Sequence, residues 1–188
     1  MISESSTTTR QTSDQPSDKA RAFVDYVIDR CQNDKGLGAR LRRANNPATE
    51  YQSWETLARF GINLEWAQQR LPYVTIAAAI AHAKPTSNGT RMLGQALAQS
   101  YDQGHDADQA KAKLRRLLAC STTDEACRIL RPLLSLIVSK SGSALDYHRL
   151  LRQLLWFERY PERTRAQWAQ EFYRREKSGE PTATEVAS

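Results

Sequence analysis

Three histidines, His82, His105 and His148, are the first residues to question for metal or acid–base chemistry. None has a second histidine three or four residues away, so no two of them can ligate a metal from one helix face. His105-Asp106 resembles the dipeptide of a metal-dependent phosphohydrolase, but the further His and Asp ligands of such a site have no counterpart, and a loop or cap pair is the plainer reading. Cys120 and Cys127 are seven residues apart, which is one face of an unbroken helix. Between them, however, Thr122-Thr123-Asp124-Glu125 has the spacing of a capping box and therefore starts a new helix. With Cys31 they make three sparse cysteines, expected as reduced, partly buried thiols of a cytoplasmic protein. No Gly-x-x-x-x-Gly-Lys-Ser/Thr, Gly-x-Gly-x-x-Gly or Gly-x-Ser-x-Gly stretch occurs, and the acidic residues are dispersed among basic ones rather than paired in an apolar setting. The expectation is a protein that is not an enzyme, with no metal and no cofactor.

The basic residues are more informative. The 188 residues carry 27 Lys+Arg against 21 Asp+Glu, a formal charge of +6. Both ends are slightly acidic, so residues 20–176 hold 24 basic and 16 acidic side chains, and 20 of the chain's basic residues are arginines. Arginine grips phosphate through a planar two-donor fork, whereas lysine acts as a point charge. The arginines and lysines are grouped: Arg40, Arg42 and Arg43; Lys111, Lys113, Arg115 and Arg116; Arg128 and Arg131, three apart on one face; and Arg149, Arg152, Arg159, Arg163 and Arg165. Each group lies beside an apolar stripe that can hold it rigid, which favours contact with the phosphates of a nucleic acid over a merely solvated face. Such contacts position a backbone and do not read bases. The tryptophans Trp54, Trp156 and Trp168 fall among apolar positions and are expected in the core or in helix packing rather than as stacking surfaces.

Elements that could position these groups are helical almost throughout. Residues 1–19 and 177–188 are polar, without periodicity, and read as disordered tails around a helical domain, 20–176. Ser17 or Asp18 caps a helix with the stripe Ala20, Phe23, Val24, Val27, Ile28 and Cys31, ended by residues 33–36. A short helix carries Leu37, Leu41 and Ala44. Asn46 then caps a helix with Pro47 at its first position, its buried face formed by Tyr51, Trp54, Leu57, Ala58 and Phe60. Asn63 caps an Ala-rich helix from Leu64 to about His82, interrupted by Pro72. Lys84-Pro85-Thr86-Ser87-Asn88-Gly89 is built from turn formers and is the candidate boundary, near 84–90, between two small helical lobes. Beyond it come a short helix with Leu93, Ala96 and Leu97, a loop over 101–106, and a helix through Leu114, Leu117 and Leu118. The capping box then opens a stripe of Cys127, Leu130, Leu133, Leu134, Ile137 and Val138 that Pro132 kinks and Gly142 ends. Leu145-Asp146 opens Tyr147, Leu150, Leu151, Leu154 and Leu155, and a last helix near 162–176 carries Trp168, Phe172 and Tyr173. No segment alternates with a period of two. The fold class is all-α, a helical bundle, and no apolar run approaches the roughly 18 residues of a membrane span. With no apolar run near the start, no secretory signal is expected.

Four stretches carry a family resemblance by their order and spacing: Gly38-Ala39-Arg40-Leu41-Arg42-Arg43-Ala44; Gly89-Thr90-Arg91-Met92-Leu93-Gly94-Gln95-Ala96-Leu97-Ala98; Leu114-Arg115-Arg116-Leu117-Leu118-Ala119; and Ile129-Leu130-Arg131-Pro132-Leu133-Leu134. They precede a Leu-Asp-Tyr segment rich in paired leucines and a final helix ending in Glu171-Phe172-Tyr173. Over 20–175 the chain resembles the small subunit of the type I-E CRISPR Cascade complex, the CasB family. The resemblance implies an all-helical, non-catalytic subunit of an RNA-guided antiviral surveillance complex, present there as two copies. Its partners would be the other Cascade subunits, guide RNA, target DNA and the displaced single DNA strand. It would brace the guide RNA–target DNA duplex and hold the displaced strand on a basic surface. By motif, the resemblance assigns Arg42 and Arg43, Arg131, and Arg163 and Arg165 to nucleic acid; the grouped charges add Lys111, Arg115, Arg116 and Arg128. At Leu118 the chain departs from relatives that place an arginine there, with Arg115 and Arg116 as neighbouring substitutes. The residues themselves leave two other readings open. One is a helical adaptor whose partner is protein. The other is a helix-turn-helix repressor, whose turn Ala58-Arg59-Phe60-Gly61-Ile62 faintly echoes. Replacing Arg42, Arg43 and Arg131 together is expected to weaken target-loop stability without unfolding the chain.

Overall fold

A computed structural model describes residues 16–141 and 145–174, so residues 1–15 of the expected tail 1–19, the whole expected tail 177–188 and the stop at Gly142 lie outside the described residues, while residues 16–19 belong to the first helix. The chain order is α1 (Pro16–Asn33), α2 (Lys35–Arg43), a 3₁₀ segment (Pro47–Ser53), α3 (Trp54–Arg59), α4 (Ala67–Ala83), α5 (Leu93–Gln99), a 3₁₀ turn (Gly104–Asp106), α6 (Asp108–Leu118), α7 (Thr123–Ser141), α8 (Tyr147–Leu155) and α9 (Pro161–Tyr173). Among the described residues the fold is all-α, and its sole β-type pairing is one bridge between Arg91 and Leu145. No helix among them is long and apolar enough to cross a membrane.

Local chemistry sets the boundaries. Asp34 is both the break after α1 and the N-cap of α2, accepting from the Leu37 N–H at 2.8 Å, an interaction that holds its carboxyl below the usual range. The capping box forms as expected: Thr122 Oγ1 accepts from the Glu125 N–H at 3.2 Å, and Glu125 Oε2 reaches back to the N–H groups of Ser121 and Thr122. Asp146 caps α8 through the Arg149 N–H at 3.0 Å. Asn63, expected as the cap of α4, instead closes a turn onto the Glu65 N–H, and the helix starts later, at Ala67.

Every residue from Leu71 to Ala81 is buried, which is what a helix apolar on all sides requires. This makes α4 the axis of the bundle, packed by α1, α2, α7 and α8. A helix so enclosed cannot enter a DNA groove, and the helix-turn-helix reading ends here. The chain leaves this group through the loop over 84–92, where α5, α6 and α9 pack together, and returns with α7 and α8. A single apolar cluster runs from Ala20 to Phe172 through both groups. At Gly94 α5 and α9 approach so closely that a Cβ would lie 2.3 Å from the Trp168 carbonyl oxygen and 2.6 Å from the Phe172 nitrogen.

One face differs from expectation. Asn46 caps as expected, its Oδ1 accepting from the Ala48 N–H at 3.0 Å, but the helix it starts is 3₁₀. With about three residues per turn, positions three apart eclipse. Glu50 and Ser53 therefore turn inward while Tyr51 faces out, and α3 continues from that register with Thr56 and Leu57 inside and Trp54 and Ala58 outside.

Candidate nucleic-acid interface

Three of the nine expected contact residues are occupied inside the fold, each at the end of a helix, where backbone carbonyls lack helical donors. Arg42 Nη1 donates to the Ala81 carbonyl near the end of α4, at 3.2 Å. Arg165 donates through Nε and Nη2 to the Cys120 carbonyl just past α6, and its Nη1 meets Glu162 at 3.1 Å. Arg131 is buried; its Nη1 donates to the Asn45 carbonyl beyond α2 at 3.2 Å and its Nη2 to Glu50 at 2.9 Å. A cationic donor at a helix C-terminus also complements the helix dipole.

Arg131 belongs to a cleft of about 620 Å³ beside the 3₁₀ segment. Glu50, itself buried, accepts from Arg131 on one oxygen and from Arg70 Nε on the other at 2.7 Å, and Arg70 also donates to the Leu64 carbonyl. At the rim Arg128 pairs with Asp124 one turn earlier on α7. The charges here are matched within the chain, and Tyr51 and Trp54 stand exposed above them.

The remaining expected residues face solvent to different degrees. Arg43, Arg115, Arg116 and Arg163 are exposed, and Lys111 is half-buried with Asp106 3.9 Å away. Arg43 lies at the end of α2, Lys111, Arg115 and Arg116 on α6, and Arg163 on α9, so the structure does not gather all nine at one place.

A second groove, of about 580 Å³, lies where α8 and α9 meet. Its described lining is Arg149, Arg152, Gln153, Trp156, Arg159, Tyr160, Arg163, Thr164 and Gln167: four arginines and no carboxylate. An adjoining hollow of about 460 Å³ shares Arg149 and Arg152 and adds Arg21 from α1 together with Asp18, Asp146 and His148. The groove walls are fixed by buried polar contacts. Trp168 Nε1 donates to Gln153 Oε1 at 2.9 Å, and Gln153 donates to Gln167 at 3.0 Å. Arg149 pairs with buried Glu171 at 2.9 Å, and the other Glu171 oxygen accepts from the Gly94 N–H at 3.3 Å. Arg152, Arg159 and Arg163 are left exposed.

Of this arginine group the sequence motifs point to Arg163 and Arg165 alone as contacts, and the apolar positions around Trp156 point to the core or to helix packing. The structure corrects this: Trp168 is fully buried, whereas Trp54 is 41% and Trp156 37% exposed. The signal for Trp156 was present in the spacing. Arg149, Arg152 and Trp156 follow steps of three and four on the face of α8 opposite Leu150, Leu151 and Leu154, which are buried.

Other chemistry has little support. All three cysteines are free and buried, and burial pushes the Cys127 thiol up to about 12 and that of Cys31 up to about 11. No cluster of three potential metal ligands exists among the described residues.

The fold and this groove define the class as an all-α helical bundle that carries an arginine-lined groove, with no carboxylate in its described lining. The comparisons narrow that class. The model of the family described as CRISPR-associated protein Cse2 matches residues 38–173, and the chain belongs to this family, the CasB small subunits of type I-E Cascade. Among solved structures it is similar to a chain of a "CRISPR RNA-guided surveillance complex" (25% identity, TM-score 0.63, covering 83% of this chain and 90% of that one). It shares its fold with CasB from M. ruber (24% identity, TM-score 0.64, 82% and 92% covered) and with CasB from Thermobifida fusca (19% identity, TM-score 0.63, 83% and 98% covered). No curated protein matches.

Proposed function

We propose that the chain is a non-catalytic nucleic-acid-binding subunit that braces the guide RNA–target DNA duplex of its surveillance complex and stabilises the displaced DNA strand. It would act in the cytoplasm, as two copies beside the other Cascade subunits. The observation that carries this reading is the groove between α8 and α9, whose described lining has four arginines and no carboxylate. Guide-dependent recognition leaves sequence reading to base pairing, so the protein needs to supply only charge and shape. Opening a target duplex is a nearly balanced exchange, and neutralising the phosphates of the displaced strand shifts it towards the open loop.

The contact residues in this reading are Arg43, Arg115, Arg116 and Arg163 of the expected set, with Lys111, joined by Arg152 and Arg159; Arg128, matched by Asp124, is left out. Arg42, Arg131 and Arg165 hold the helix ends that present them. Binding of a single-stranded oligonucleotide should weaken with salt, with a slope of roughly −0.7 per phosphate neutralised. A flat salt dependence would favour the protein adaptor instead. That second role has its own observation: Tyr51, Trp54 and Trp66 are exposed by 59%, 41% and 65%, aromatic surface of the kind that anchors protein interfaces, and it suits contact with a neighbouring subunit.

A further inference from the structure

The α8–α9 groove contains more than charge. Trp156 and Tyr160 are 37% and 45% exposed, a large apolar area to leave in water inside an arginine-lined groove. The turn that carries them is anchored. Phe157 between them is fully buried and stacked on Trp168 at 5.6 Å between centroids, Trp156 N–H donates to the Arg152 carbonyl, and Tyr160 N–H donates to the Trp156 carbonyl. The two exposed rings lie 6.2 Å apart with planes tilted by 38°, and the Arg159 guanidinium is 5.7 Å from one centroid and 5.5 Å from the other. This is an aromatic pair on an anchored turn with a cation already over it, flanked by Arg152 and Arg163.

A duplex offers phosphates to such a surface but keeps its base faces stacked inside. Only an unpaired strand can present a base face to a ring. We infer that Trp156 and Tyr160 form a stacking platform for single-stranded nucleic acid, with Arg159 held over the rings and Arg152 and Arg163 on the flanking phosphates. The inference rests on the phosphate-contact reading above and assigns its α8–α9 groove to an unpaired strand rather than to a duplex. Because the rings share Arg159 and stand close together, a base adds to the exposed side of the array rather than inserting between them.

The test compares the full chain binding to an oligothymidine with its binding to an abasic oligodeoxynucleotide of the same length and charge, by fluorescence anisotropy at low salt. Stacking on aromatic side chains should make oligothymidine bind about 5- to 150-fold tighter than the abasic strand. Trp156→Ala should abolish that preference, lowering oligothymidine binding far more than abasic binding, Trp156→Phe should retain most of it, and Arg152→Ala with Arg163→Ala should weaken both strands alike. Equal binding of the two strands by the unaltered chain overturns the platform and leaves the phosphate reading intact. A base preference that survives both Trp156→Ala and Tyr160→Ala overturns it too, by placing the stacking elsewhere. No binding of either strand overturns the phosphate reading, and the platform with it.

Discussion

Two clefts of this molecule have nearly the same ingredients and opposite electrostatics. Each has arginines and an exposed aromatic pair: Tyr51 and Trp54 with Arg70, Arg128 and Arg131 beside the 3₁₀ segment, and Trp156 and Tyr160 with Arg149, Arg152, Arg159 and Arg163 between α8 and α9. In the first, Glu50 accepts from Arg70 and Arg131, and Asp124 pairs with Arg128. In the second, among the described residues, only Arg149 has a carboxylate partner, Glu171, and three arginines remain exposed. Counting arginines does not distinguish the two. The position of the nearest carboxylate does, and it separates arginines that hold the fold from arginines offered to a polyanion.

The largest expected effect breaks the comparison at Glu50. Glu50→Ala strands the buried Arg131 guanidinium and should cost about 3–5 kcal/mol of unfolding free energy in urea, whereas Arg152→Ala should change stability by less than about 0.5 kcal/mol. On the same reasoning Arg131→Ala is destabilising, so the expectation that Arg42, Arg43 and Arg131 can be removed together without unfolding is revised. Next in size, Gly94→Ala forces a Cβ into the Trp168 and Phe172 backbone and should cost on the order of 1–3 kcal/mol, loosening α9 and with it one groove wall. Smaller again, Arg152→Ala and Arg163→Ala should each reduce the salt slope of single-strand binding by about 0.7, read from titrations at several ionic strengths. The smallest effect sharpens the contrast: Arg128→Ala removes an exposed pair within one helix and should change stability by about 0–1 kcal/mol in thermal melts.

Much of the fold was legible because its signals are local. The stripe of α1 and most of those of α7 and α8 are buried as their spacing requires, and the Thr122 capping box and the Asp146 cap form where their residue types place them. After Asn46 the period is set by a 3₁₀ segment, whereas a 3.6-residue count puts Tyr51 and Trp54 inside. The site was legible only as a set of basic groups. Whether an arginine is free depends on carboxylates and carbonyls distant in sequence, 81 residues away for Arg131 and Glu50 and 45 for Arg165 and Cys120, and no local pattern reports those pairings. Trp156 shows the opposite error: its place on the arginine face was visible in the spacing, and its residue type outweighed it.

The most direct measurement is the lifetime of the open target loop in a surveillance complex reconstituted with altered small subunit. Two variants of equal charge change should be compared, one with Arg152, Arg159 and Arg163 replaced by alanine and one with Arg40, Arg128 and Lys140 replaced. The account predicts a markedly shorter lifetime for the first and a smaller change for the second. Equal lifetimes in the two, or a larger loss in the second, would contradict the claim that the carboxylate-poor groove between α8 and α9 holds the strand.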